Sequence, residues 1–169
     1  MSSANDRMEV RCFGTGDPLY ERYHDEEWGR PVTGERELFE RLVLESFQSG
    51  LSWITILRKR DSFRAAFDGF DHAVVAGYDA TDVERLLHDA AIVRNRAKIE
   101  ATIANARATV ALHDTGGTLR DVLWADELPA AKAKRLKALG FRFLGPTTVE
   151  SAMQACGVIN GHNEDCPQR

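Results

Sequence analysis

Apolar positions along this chain recur at spacings of three and four, and no stretch alternates convincingly at two, so the pattern predicts an all-α protein. Leu38, Leu42 and Glu45 fall at i, i+4 and i+7, with Phe39 and Val43 alongside, which predicts a long helix over 35–49. Gly50 breaks it, and Ser52 is a suitable N-cap for a helix over 52–60, with 61–67 as its continuation or a new start. Further short helices are expected over 19–25, 71–76 and 119–124. Another begins near Asp79 or Thr81 with Val83, Leu86 and Leu87 as its apolar face. Ile99, Ile103, Ala106 and Val110 mark an amphipathic helix over 98–112. A basic helix over 130–139 stops at Gly140, and Thr147 or Thr148 caps a last helix through Val149, Ala152, Met153 and Cys156.

Within this pattern, the stretch from Leu42 to Trp53 carries chemistry. Glu45 lies at the edge of the apolar stripe, where a carboxylate is costly to bury unless something pairs with it. Taken alone, it is a solvated edge residue. Gln48 lies one turn further on, and Trp53 follows the break at Gly50. An acid, an amide and an indole converging on a helix break also suit a pocket for a flat, polar, cationic ligand.

At 169 residues, 43% hydrophobic and 28% charged, the chain is long enough for one domain with a real core, expected over 11–169 behind a loose tail at 1–10. No apolar run approaches a membrane span, and the first ten residues lack the apolar stretch of a signal peptide, so an intracellular, cytoplasmic protein is expected, with a monomer as the default. The net charge of −4 argues against a protein that simply coats nucleic acid. Local clusters at Arg58-Lys59-Arg60, at Arg94, Arg96 and Lys98, and from Lys132 to Arg142 are ordinary as solvated helix faces. They also suit a protein that touches phosphates on one side.

Three cysteines and five histidines set the remaining constraint. His162 and Cys166 stand four apart near the C-terminus, and Cys12 and His24 twelve apart near the N-terminus. Either pair alone is weak. Together, two thiolates and two imidazoles make a complete tetrahedral set for one structural Zn²⁺ with no open position, which would fasten the two chain ends together. A Cys12–Cys166 disulfide is disfavoured in an intracellular protein. Cys156, beside Met153, is expected as a buried small hydrophobe.

Five blocks then carry a resemblance: DPLYERYHDEEWG from Asp17, the stretch from Leu44 to Trp53, DAAIVRNRAKI from Asp89, GFRFLGPTT from Gly140 and MQACGVIN from Met153. In this order, and over nearly the whole chain, they resemble the 3-methyladenine DNA glycosylase I (Tag) family of the helix-hairpin-helix glycosylases. The resemblance implies an all-α, zinc-bearing fold and a monofunctional enzyme. Such an enzyme flips 3-methyladenine out of alkylated double-stranded DNA and hydrolyses its N-glycosidic bond, releasing the free base. It makes Glu45 the base-recognition and catalytic glutamate, Trp53 the ring stacked on the base, and Tyr23 a pocket wall, with Trp28 and Gln48 near the pocket. It assigns 89–99, with Arg94, Arg96 and Lys98, to the hairpin that grips the DNA backbone, and Cys12, His24, His162 and Cys166 to the zinc.

The chain departs from that family at three places. Ala91 and Ala97 stand where the hairpin usually has glycine, which is expected to weaken or shift the grip on phosphate. Phe13 replaces a usual Trp beside the first cysteine, and the connection between Trp124 and Lys132 is shorter. The departures at Ala91, Ala97 and Phe13 motivate an alternative, a catalytically weak alkylation-damage DNA-binding protein on the same scaffold. Retention of Glu45, Tyr23 and Trp53 argues against it. A zinc-stabilised domain binding a free purine is a third reading.

Overall fold

The structure, a computed structural model, describes residues 10–169, so the tail expected over 1–10 lies almost wholly outside the described residues. Ten α-helices follow one another, with no strand among the described residues. They are α1 (Pro18–Arg22), α2 (Glu35–Gln48), α3 (Trp53–Arg58), α4 (Arg60–Ala66), α5 (His72–Ala76), α6 (Ala80–Leu87), α7 (Arg96–Asp114), α8 (Leu119–Leu123), α9 (Pro129–Ala138) and α10 (Pro146–Ala155). None is long and apolar enough to cross a membrane.

Helix α2 is the axis of the fold. Every residue from Leu38 to Phe47 is buried, because α10, α8, α7 and α3 pack around it. The sequence pattern suggests a one-sided stripe. A central helix instead buries its polar positions as well, here Glu40, Arg41, Glu45 and Ser46, each of which then needs a partner or a use. Phe47, Phe63, Phe67 and Phe70 continue the core beneath α2, with successive ring centroids 4.8, 6.4 and 5.8 Å apart. Offset and tilted ring pairs of this kind add to the area they bury.

Helix α2 ends where its sequence loses the means to continue. Gly50 takes φ +80°, a left-handed conformation that favours glycine, and the chain turns out and re-enters as α3 behind Ser52. The buried amine of Lys98 closes this break. Its Nζ donates to the carbonyls of Phe47 and Ser49 at 2.8 and 2.6 Å, satisfying acceptors at the end of α2.

Helices α6 and α7 form two arms joined by the turn over 88–95. A capping box on Asp79 and Asp82 starts α6, and Asn95 caps α7. The turn closes with no left-handed residue at 91 or 97, so alanine in place of glycine imposes no backbone strain there.

Two elements differ from the sequence pattern. The chain beyond α1 is a π turn, Tyr23–Glu27, in which Trp28 N–H donates to the carbonyl of Tyr23. Helix α10 begins at Pro146 with Gly145 as its N-cap, not at Thr147 or Thr148, since proline needs no amide partner in a first turn.

Candidate active site and metal cluster

Glu45 is 6% exposed and opens onto a cleft of about 330 Å³ lined by Gln48, Ser49, Gly50, Leu51, Thr147, Thr148 and Ser151. The walls therefore come from the broken end of α2 and the first turns of α10. Among the described residues, no hydrogen bond reaches the Glu45 carboxylate. Burial pushes it up to about 7, and the Arg41 guanidinium, one helical turn earlier, pulls it down. Behind it, Tyr23 is buried, its ring 5.3 Å from Trp53 and tilted by 42°. The phenols of both Tyr20 and Tyr23 are raised, chiefly by burial and also by the charge of Glu45.

The sequence gives no sign of Arg41 or its partners. Its Nη2 donates to Glu27 Oε1, which also accepts from Arg60 Nη1 at 2.5 Å, and its Cζ lies 5.8 Å from the Tyr23 ring centroid. With Glu45 ionised, Arg41, Arg60, Glu27 and Glu45 sum to zero charge, which is how a buried carboxylate without a hydrogen bond remains tolerable. The π turn is what brings Glu27 under α2 and Tyr23 beside it.

Of the expected site residues, Glu45, Gln48, Tyr23 and Trp53 gather at or behind the cleft. Trp28 lies further along an aromatic row: its ring contacts are Phe13 at 4.8 Å, His24 at 5.9 Å and His162 at 4.6 Å, at the end nearest the cysteines. Phe13 joins the two ends, 4.9 Å from Tyr20 and 6.3 Å from Tyr23. In the hairpin, Arg94 is exposed, while Arg96 pairs with Glu84 at 2.5 Å. Lys98, expected to meet DNA, is turned inward and 6% exposed. Its role at the α2 break corrects that expectation, since an amine donating to two carbonyls in the interior cannot also reach a phosphate.

Cys12, His24, His162 and Cys166 form a cluster whose ligand atoms all lie within 4.8 Å of one another, so they could hold a metal ion. All three cysteines are free thiols. Cys12 Sγ to His162 Nδ1, Cys166 Sγ to His24 Nε2 and Cys166 Sγ to His162 Nδ1 are 3.6, 3.6 and 3.5 Å. A tetrahedral ion with bonds of about 2.3 Å to sulfur and 2.0–2.1 Å to nitrogen requires sulfur–nitrogen edges of about 3.6 Å. The supporting groups fit as well. Asp25 accepts from His24 Nδ1 at 2.8 Å, leaving Nε2 to face the cluster, and Arg11 donates to Asp25 at 2.8–3.1 Å. Gly29 lies so close that a Cβ there would come within 2.8 Å of His162 Nε2.

Known proteins resemble the chain over nearly its whole length. The methyladenine glycosylase family model matches residues 13–132 and 126–169, two stretches that overlap across the connection into α9. The chain is 44% identical to DNA-3-methyladenine glycosylase 1 of Escherichia coli, over 94% of this chain and 96% of that protein. It is 37% identical to DNA-3-methyladenine glycosylase of Haemophilus influenzae, over 95% and 98%. The crystal structure of a 3-methyladenine DNA glycosylase I (TAG) superposes with a TM-score of 0.90 at 42% identity, covering 94% of this chain and 98% of that one. The Staphylococcus aureus enzyme, solved to show how it recognises 3-methyladenine, gives 0.89 at 36%, covering 95% and 96%. The chain belongs to the methyladenine glycosylase family.

Proposed function

We propose that the protein excises 3-methyladenine from alkylated DNA inside the cell by hydrolysing the N-glycosidic bond. The observation that carries this reading is the Glu45 carboxylate. It is buried, accepts no hydrogen bond among the described residues, and faces a cleft backed by two aromatic rings. Its neighbours in the family act on this base, as their names state.

Methylation at N3 gives adenine a positive charge and weakens its bond to the sugar, so the base is already a good leaving group. The site's work is to take the flipped base and tell it from the normal one. Glu45 accepts hydrogen bonds from the adenine edge and favours the cation in a low-dielectric setting. Trp53 and Tyr23 offer ring faces to the cation, with Gln48 at the rim and Trp28 bracing the row from its far end. Water attacks the sugar as it gains oxocarbenium character. The fold does bring a lysine, Lys98, to the α2 break, but its amine is committed to two carbonyls. This supports a monofunctional enzyme without a lysine nucleophile. Arg94 and Arg96 on the α6–α7 hairpin are the backbone contacts. Since alanine at 91 and 97 causes no strain, those positions give the weak-binder reading little support.

Titration with free 3-methyladenine, followed by tryptophan fluorescence, tests this reading. Wild type should bind it in clear preference to adenine, and Trp53→Ala should lose about 1–3 kcal/mol of that binding. Equal affinity for the two bases would remove the basis of the assignment.

The cluster of Cys12, His24, His162 and Cys166 fits one structural zinc, which joins the N-terminal loop to the C-terminal turn and takes no part in the reaction. Protein purified without a histidine tag should contain one zinc per chain. An ion present at about 1,000 times its Kd stabilises by about 4 kcal/mol, so chelation should lower the unfolding midpoint by on the order of 10 °C. An unchanged midpoint after complete metal removal would refute the structural role.

A further inference from the structure

The loop between α9 and α10 has a feature that the base cleft does not explain. Phe143 has φ +59° and is 46% exposed. A bulky residue in the left-handed region is a genuine outlier, maintained only where its surroundings enforce it. The other described non-glycine residues with positive φ, Asp68 and Phe70, share one turn. There Phe70 is fully buried and its ring stacks on Phe67, so core packing offsets the strain. Phe143 has no such return, yet its pedestal is rigid. Asn105 of α7, 1% exposed, holds both sides of the preceding residue: Arg142 N–H donates to its Oδ1 at 2.7 Å, and its Nδ2 donates to the Arg142 carbonyl at 3.0 Å. Phe141 and Leu144 are buried on either side, so the chain is anchored while Arg142 and Phe143 are turned out.

Beside it runs a groove of about 670 Å³. Its walls include Lys134, Lys137 and Arg142, with apolar surface from Phe141, Phe143 and Pro146, and no carboxylate lines it. On a chain of net charge −4, this is a local concentration of positive charge. Pro146 lines the groove, and the next two residues, Thr147 and Thr148, line the Glu45 cleft, so the two sites adjoin at the first turn of α10.

We propose that this groove holds the DNA strand flanking the flipped nucleotide, with Phe143 against a neighbouring base or sugar and Lys134, Lys137 and Arg142 on its phosphates. Aromatic faces and cations along one groove are how single-stranded segments are gripped without sequence preference. The proposal rests on DNA being the substrate.

The test is binding of a fluorescent duplex, with free 3-methyladenine binding and thermal melting measured alongside. Phe143→Gly removes the ring and relieves the strained φ. It should melt no lower than wild type and bind duplex on the order of ten-fold more weakly. K134Q/K137Q should also weaken binding and make its logarithmic salt dependence shallower by roughly 2, near 0.9 per phosphate contact. Free-base affinity should stay within about two-fold in both variants. Wild-type duplex affinity in both variants would overturn the proposal. So would self-association of wild type that Phe143→Gly abolishes without loss of duplex affinity, which would assign the groove to a second copy. If wild type bound duplex but neither bound nor released 3-methyladenine, the base assignment would fail while the groove could still be judged from the duplex data.

Discussion

Glu45→Gln is expected to reduce excision by on the order of 10²–10³-fold, the range found when one preorganised electrostatic group is removed from an active site, and at the same time to make the protein more stable. Both follow from one fact, that the carboxylate is buried without a hydrogen bond. Its pKa rises from an ordinary value of about 4.5 to about 7, so between those values the folded state binds more protons than the unfolded state. Stability must then fall as pH rises through this window, by roughly 3 kcal/mol in all, and the cost is fully present above pH 7. Glutamine is neutral throughout. Melting of wild type and Glu45→Gln should therefore coincide near pH 4.5 and diverge by pH 8, with the variant higher. A variant that melts lower at pH 8 would make Glu45 a structural residue and contradict the site assignment.

Arg41→Met has the second large effect, on both pH dependence and stability. Arg41 is the cation that draws Glu45 downward, and the other groups that face the carboxylate, the Tyr20 and Tyr23 phenols and the Cys156 thiol, are neutral at physiological pH. Without Arg41, Glu45 rises further, and the acidic limb of the excision profile should move to higher pH by on the order of one unit. Removing one partner of a buried ion pair costs about 3–5 kcal/mol. The loss here should lie near the lower figure because Arg60 stays on Glu27. Adding Glu27→Gln should recover part of the stability but not the pH shift. An acidic limb unmoved in Arg41→Met, with the protein folded, would show that Arg41 does not govern Glu45.

The sequence makes helices legible where they are bounded by local signals: Asp79 as a cap, Gly50 and Gly140 as stops. It points to the cleft residues at the α2 break for the same reason, since acid, break and indole lie within nine positions. What it misses is set by packing. Glu45 looks like an edge residue because a stripe is defined against one neighbour, whereas α2 is enclosed by four helices. Lys98 looks like part of a basic cluster because spacing says nothing about which way a long side chain turns. Here an unsatisfied helix end 49–51 residues away claims it. Arg41 is one turn from Glu45 and in plain view, but its role depends on Glu27, carried beneath α2 by a π turn that no periodicity announces. The cysteines and histidines are legible as a ligand set by type, while their convergence, across up to 154 positions from Cys12 to Cys166, is visible only in the fold.

The most direct test of the central claim is base release. Duplex DNA treated with a simple methylating agent is incubated with wild type and with Glu45→Gln, and the freed bases are resolved by chromatography. Free 3-methyladenine from wild type and little from the variant, with adenine retained in both, is the predicted result. No release by folded wild-type protein carrying its full complement of zinc would contradict the account.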